Sequence, residues 1–137
     1  MKPESSRRNF LAAGLALPAT AGLPSPASAQ GEPQKVKLTY RTLGKTGLKV
    51  TSMSFGCMTT SDPTVIQRAA DMGILHFDTA RTYQGGNNER MVGAALKSRR
   101  KQVIISSKSG GKTRQEALDH LDTSLRELGT DYLDIWY

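Results

Sequence analysis

From Leu38 onward, short apolar runs of strand length alternate with stretches whose apolar positions recur at helical spacing. Leu38 to Leu43 and Leu48 to Thr51, parted by Gly44-Lys45-Thr46-Gly47, predict a β-hairpin with a glycine-bearing turn. Met53 to Met58 reads as a short apolar strand. Asp62-Pro63 opens a helix, with aspartate as N-cap and proline at the first helical position, where its missing N–H costs nothing. That helix runs through Ile66, Ala69 and Ala70 and stops at Gly73. Ile74 to Asp78 is the next strand, Glu89 to Lys97 a helix with Met91, Val92, Ala95 and Leu96 on its apolar face, and Val103 to Ser107 a third strand. Thr113-Arg114-Gln115-Glu116 is a capping box. It starts a helix with Leu118, Leu121, Leu125 and Leu128 on one face, ended by Gly129, and Tyr132 to Tyr137 begins a fourth strand.

Strands alternating with helices at this spacing predict βα units and a parallel sheet, an α/β fold. Four strands and three helices suit a small open sheet. They equally suit the first half of a (β/α)8 barrel, which takes about 200 residues or more. Periodicity does not choose between the two.

Composition narrows the class. The chain has 137 residues, 37% of them hydrophobic, enough for a core, and one cysteine, Cys57, so neither a disulfide framework nor a cysteine-built zinc site is expected. The formal charge is +7, to which residues 1–29 contribute +2. The bases are scattered without interleaved aromatics, which argues against nucleic-acid binding. The one cluster, Arg99-Arg100-Lys101, reads as a solvated loop before a strand.

Residues 1–29 have the form of an export signal. A polar start leads to Arg7-Arg8, an Ala/Leu-rich run spans Phe10 to Leu23, and Ala27-Ser28-Ala29 supplies the small-residue cleavage pattern. Gly14, Pro18, Gly22 and Pro24 interrupt the run, which falls short of the roughly 20 apolar residues of a bilayer span. Ser6-Arg7-Arg8-Asn9-Phe10-Leu11 resembles a twin-arginine signal. The expectation is export through the twin-arginine machinery to the periplasm or beyond, with residues 30–37 as a linker.

The chemistry concentrates at strand ends. Asp78 closes one strand, Tyr83 follows in the loop above it, and Lys108 closes the neighbouring strand. Parallel α/β folds gather their reactive groups at this end. A phenol is a weak acid, with an ordinary pKa near roughly 10. An adjacent ammonium favours its ionised form, and a carboxylate keeps that ammonium charged and in place. Tyrosine, lysine and aspartate together can therefore protonate a carbonyl oxygen. Singly, each has a plain structural reading as turn cap, packing ring or solvated amine.

The YRTLGKTGLKV hairpin, the MSFGCM strand, the FDTARTY and GGNNERMVGAAL blocks, the IISSK strand end and LDTSLRELGTDYLDIWY together resemble the aldo-keto reductase family. The resemblance runs from about Leu38 to the last residue. It implies the N-terminal part of a (β/α)8 TIM barrel closed below by the hairpin, with the sequence stopping within the fourth barrel strand. It also implies NADP(H)-dependent reduction of a small carbonyl substrate. Tyr83 would be the general acid, tuned by Lys108 and Asp78, and Gly56, Cys57 and Met58 would lie near the nicotinamide. The family's fourth catalytic residue, a histidine shortly after the DYLDIWY strand, falls beyond Tyr137, and the main cofactor-binding segments also lie in the second half. Neither histidine present substitutes for it. His76 is expected on the Asp78 face one layer down, and His120 on a helix surface.

Two other readings compete. SSKSGGKT from Ser106 to Thr113 approximates a phosphate-binding loop, but that pattern wants glycine where Ser106 stands. A non-catalytic half-barrel or truncated gene product is the alternative to an enzyme, and the 137-residue polypeptide alone is expected to show little or no reductase activity.

Overall fold

The computed structural model describes residues 37–137; residues 1–29, read above as an export signal, and residues 30–36 of the expected linker lie outside the described residues. The hairpin forms from β1 (Tyr40–Thr42) and β2 (Lys49–Thr51), antiparallel with Tyr40 opposite Thr51. Its turn needs the two glycines, because Gly44 and Gly47 have φ of 52° and 77°, a region L side chains enter only under strain.

A four-stranded sheet follows, built from β3 (Phe55–Gly56), β4 (His76–Asp78), β5 (Ile104–Ser107) and β6 (Ile135–Trp136). The strands lie side by side in chain order and every pairing is parallel. Three helices connect them: α1 (Pro63–Asp71), α2 (Asn87–Leu96) and α3 (Arg114–Leu128). Asp62 caps α1 by accepting from the Thr64 amide, and Thr113 caps α3 by accepting from the Glu116 amide. Among the described residues no helix is long and apolar enough to cross a membrane. The strands are shorter than the apolar runs that announced them, since the flanking residues turn into loops before they pair.

Register divides the sheet into two chemical faces. Phe55 pairs with Phe77, and Phe77 with Ile105. Phe77 and Ile105 pack with Ile66, Val92, Leu96 and Leu128 into the core beneath the helices. Burying each such side chain contributes about 1.5–3 kcal/mol. One residue further along the ladder, Gly56 pairs with Asp78, Asp78 with Ser106 and Ser106 with Ile135. That layer turns to the other face, because successive side chains in a strand alternate.

Three expectations are corrected. A left-handed turn through Gln84, Gly85 and Gly86 precedes α2, which begins at Asn87 and not Glu89, and a second turn, of 3-10 type, at Lys97–Gln102 follows it. That second turn is not wholly solvated. Arg100 reaches inward to pair with Asp134 at 2.9 Å, donates to the Tyr132 carbonyl at 2.9 Å, and stacks its guanidinium over the Tyr132 ring. His120 is half-buried, its Nδ1 lying 2.8 Å from the Ser109 hydroxyl. The loop between β5 and α3 thus folds onto the helix that follows it.

Candidate active site

Asp78, Tyr83 and Lys108 meet at the carboxyl end of β4 and β5. The Lys108 ammonium donates to Asp78 Oδ2 at 2.7 Å, to the Tyr83 phenolic oxygen at 3.0 Å and to the Thr79 carbonyl at 3.0 Å. Its three protons are therefore all directed within the cluster. Burial is the largest single influence on Lys108 and pulls its pKa down; the hydrogen bonds to Asp78 and Tyr83, with the charge of Asp78 behind them, outweigh it and leave the value raised. The group stays an ammonium through the neutral range.

Asp78 is held on both oxygens. Ser106, directly across the ladder, donates to Oδ1 at 2.7 Å, and His76 Nε2 lies 2.9 Å from that same hydroxyl. With Ser106 donating to the carboxylate, its oxygen is left to accept from His76, which fixes the imidazole proton on Nε2. Burial lowers the His76 pKa.

A cleft of about 470 Å³ opens over this layer, lined by Ser54, Gly56, His76, Asp78, Lys108 and Tyr137. A larger hollow of about 880 Å³ lies between the Lys97–Gln102 turn and the end of α3 and touches none of the three groups. Gly56 presents its backbone to the cleft, with nothing within 4 Å of where a Cβ would stand. Met58 is exposed on the loop leaving β3. Cys57 is fully buried, backbone and side chain alike, and joins the core beneath the helices, so it offers no surface of its own to the cleft. Burial, then the nearby Asp78 charge, push that thiol up to about 12.

A second polar layer supports the loop from Thr79 to Glu89. Glu89 is fully buried, accepting from the Ser107 hydroxyl at 2.6 Å and pairing with Arg81. Asn88, also fully buried, accepts from Thr79 Oγ1 at 2.7 Å and donates to the Cys57 carbonyl at 2.8 Å. Gly86, at φ 92°, holds a backbone conformation that strains an L side chain, and a Cβ there would also push the Arg81 guanidinium aside. Gln84, next to Tyr83, is the only non-glycine residue with positive φ among the described residues, at 51°. A left-handed backbone costs an L residue roughly 1–2 kcal/mol.

Sequence reasoning had missed Ser106, Ser107, Arg81, Gln84, Asn88 and Glu89 as parts of this arrangement. The available signals were two serines inside a β-branched strand and an asparagine-glutamate pair opening an apolar helix. The phosphate-loop reading also meets its answer here. Glu116 places its carboxylate at the start of α3, accepting from the Lys112 amide at 2.6 Å, where a phosphate-binding loop would receive its anion. Among the described residues no group of three or more His, Cys, Asp or Glu side chains is arranged to hold a metal ion.

The sequence profile of the aldo/keto reductase family matches residues 53–137, which include all of β3 to β6 and the three-residue cluster. The chain belongs to the aldo/keto reductase family. The structure of an aldo-keto reductase from Bacillus halodurans in its holo form is similar, with a TM-score of 0.66 and 33% identity over 73% of this chain and 39% of that one. L-glyceraldehyde 3-phosphate reductase of Escherichia coli is 32% identical over 125 residues, 74% of this chain and 36% of that protein. A probable voltage-gated potassium channel subunit beta of Arabidopsis thaliana is 31% identical over 118 residues, 72% of this chain and 36% of that protein. This family member thus spans little more than a third of the length of the curated relatives it matches.

Proposed function

We propose that this aldo/keto reductase family member reduces a small aldehyde or ketone to an alcohol with NADP(H). The observation that carries the reading is the Lys108 ammonium, which donates at once to Asp78 and to the phenolic oxygen of Tyr83. Because that oxygen accepts from Lys108, the phenolic proton points elsewhere and is free to donate to a carbonyl oxygen. As the proton leaves, the phenolate that forms already has its countercharge beside it. Asp78 holds Lys108 charged, and Ser106 holds Asp78. General acid help of this kind is worth about 10² to 10⁴ in rate.

The residues present fit the redox end of a nicotinamide cofactor. Gly56 leaves open backbone beside the cluster on which a flat ring can lie, and the exposed Met58 borders it, while Cys57 lies buried beneath. Lys108 is the only ammonium or guanidinium in the lining of the cleft, and it is engaged with Asp78, so the phosphates need cations from elsewhere. When bound, the nicotinamide supplies the hydride that reduces the carbonyl carbon. The parallel order β3-β4-β5-β6 supports reading these strands as the first four of a (β/α)8 barrel with the hairpin beneath it. The paired arginines Arg7-Arg8 and the Ala27-Ser28-Ala29 pattern support twin-arginine export to the periplasm or exterior.

The test is turnover by the full-length gene product, followed through nicotinamide absorbance with a panel of aldehydes and ketones and with NADPH and NADH in parallel. The reading predicts NADPH oxidation that falls by about 10² to 10⁴ in Tyr83→Phe. No turnover by the wild type, or a Tyr83→Phe rate equal to it, would sink the reading. The polypeptide of residues 1–137 alone is proposed to lack turnover, since it spans only 36% of the reductase it resembles and β3 and β6 each have one strand neighbour among the described residues.

A further inference from the structure

Gln84 is strained without evident return to the fold. It follows Tyr83, its backbone lies in the left-handed region at φ 51° and ψ 38°, and Gly85 and Gly86 continue that turn at 63° and 92°. Glycine would occupy position 84 at no steric cost. The side chain of Gln84 is exposed, so its hydrogen bonds exchange against water and add little net stability. What they do is specific. The Gln84 amide Nε2 donates to the Met58 carbonyl at 3.1 Å and to the Thr60 carbonyl at 2.7 Å, across 24 to 26 residues of chain. Both amide protons are thereby spent on one turn, which the Thr60 amide closes onto the Cys57 carbonyl at 3.3 Å. Asn88 grips that Cys57 carbonyl from the buried side. The segment that carries the Tyr83 phenol therefore also holds the turn leaving β3 at three carbonyls. Strain of this kind persists at functional sites when surrounding structure over-determines it.

We propose that Gln84 is a positioning residue that clamps the Met58–Thr60 turn to the Tyr83 segment, fixing the cofactor-side loop relative to the proton donor. The inference rests on the reading of the Gly56–Met58 loop as the nicotinamide border. It acts through placement, so its loss weakens cofactor binding more than it slows the chemical step.

Two variants of the full-length protein separate this from a merely structural role. Gln84→Gly removes the amide and relieves the backbone. Gln84→Glu keeps the length and the strain but replaces the donor with a carboxylate facing two carbonyl oxygens. Three quantities are measured: the melting midpoint, amide hydrogen exchange over residues 58–60 without cofactor, and NADPH affinity by fluorescence titration with kcat and KM. Gln84→Gly is expected to melt at or above the wild-type temperature while the Thr60 amide exchanges faster. In both variants NADPH affinity is expected to fall about three- to tenfold, the scale of one lost hydrogen bond, with kcat changed less than KM. Unchanged exchange at residues 58–60 in Gln84→Gly would overturn the proposal, and so would a drop in its melting midpoint. If the wild type binds no nicotinamide cofactor, the proposed reductase function falls, and exchange together with melting still decides whether the clamp exists.

Discussion

Ser106 faces Asp78 across the β4–β5 ladder and donates to its Oδ1 at 2.7 Å, while Lys108 takes Oδ2 at the same distance. The carboxylate is thus fixed in rotation by two donors from one neighbouring strand, and the ammonium is aimed at Tyr83 as a consequence. A carboxylate held by one donor alone would swing about its Cβ–Cγ bond and carry Lys108 with it.

Removing that hydroxyl gives the first prediction. Ser106→Ala deletes a hydrogen bond to a charged group, worth about 1.5–3 kcal/mol, from a buried position. The expected outcome is a fall in kcat of roughly ten- to a hundredfold, with KM for NADPH close to wild type. Ser106→Thr restores the donor and should recover most of the loss. Steady-state kinetics of both variants check it, and equal losses in the two would show that shape and not the hydroxyl matters.

His76 makes the protein sensitive to acid. Burial, the largest influence, lowers the pKa of the imidazole below its ordinary 6.5, while the charges of Asp78 and then Asp134 pull the other way. A depressed folded-state value means the unfolded chain binds the extra proton first. The contribution to stability is therefore present above about 6.5 and lost as pH falls through the lower folded value. Urea midpoints between about pH 5 and 8 should decline on the acid side, and His76→Gln should flatten that decline. An identical slope in the variant would remove His76 from the account.

The hairpin, the α/β order and the three charged or phenolic residues were legible because they depend on local pattern: turn glycines, caps, and polar residues at strand ends. Arg100 was misread as solvated because its partners, Tyr132 and Asp134, stand more than thirty residues away. His120 was read as surface because its partner Ser109 sits in the loop before α3, and the helical pattern does not reveal that loop's return onto the helix. Ser106 and Glu89 became visible only through register and packing, which place one opposite Asp78 and seal the other beneath Ser107. Gln84 was invisible in a different way. A left-handed glutamine violates residue preference, so no propensity argument would put it there.

Cys57 should be chemically inert in the folded protein. Its thiol is fully buried and stays protonated, with its pKa pushed up to about 12 by burial and then by Asp78, against weaker pulls from a backbone hydrogen bond and Lys108. Alkylating reagents attack the thiolate, so native protein at neutral pH should leave Cys57 unmodified and label it only on unfolding. Peptide mass spectrometry after iodoacetamide treatment reads this directly. Rapid native labelling would mean the loop leaving β3 opens far more than its packing allows.

Export should depend on the arginine pair. Replacing Arg7 and Arg8 with lysine keeps the charge and removes the guanidinium pair that the twin-arginine receptor reads. Cell fractionation of a bacterial host should find the wild-type protein in the periplasm or medium and the double variant retained in the cytoplasm. Equal export of both would assign the leader to the general route for unfolded chains.

The α2–α3 contact offers a matched pair of opposite outcomes. Ser124 sits fully buried on α3, and its hydroxyl has no hydrogen-bond partner among the described residues. Ser124→Ala removes an unsatisfied polar atom without opening a sizeable cavity, so stability should hold or rise by up to about 1 kcal/mol. Gly93 on α2 lies so close to the end of α3 that a Cβ would overlap the Leu128 carbonyl, a backbone atom that cannot rotate aside. Gly93→Ala should therefore cost about 1–3 kcal/mol or more as the helices are forced apart, even though alanine favours a helix over glycine by about 1 kcal/mol. Denaturant midpoints of the full-length variants decide both. A stabilised Gly93→Ala would show that helix propensity outweighs the contact and that the two helices are not in fact this close.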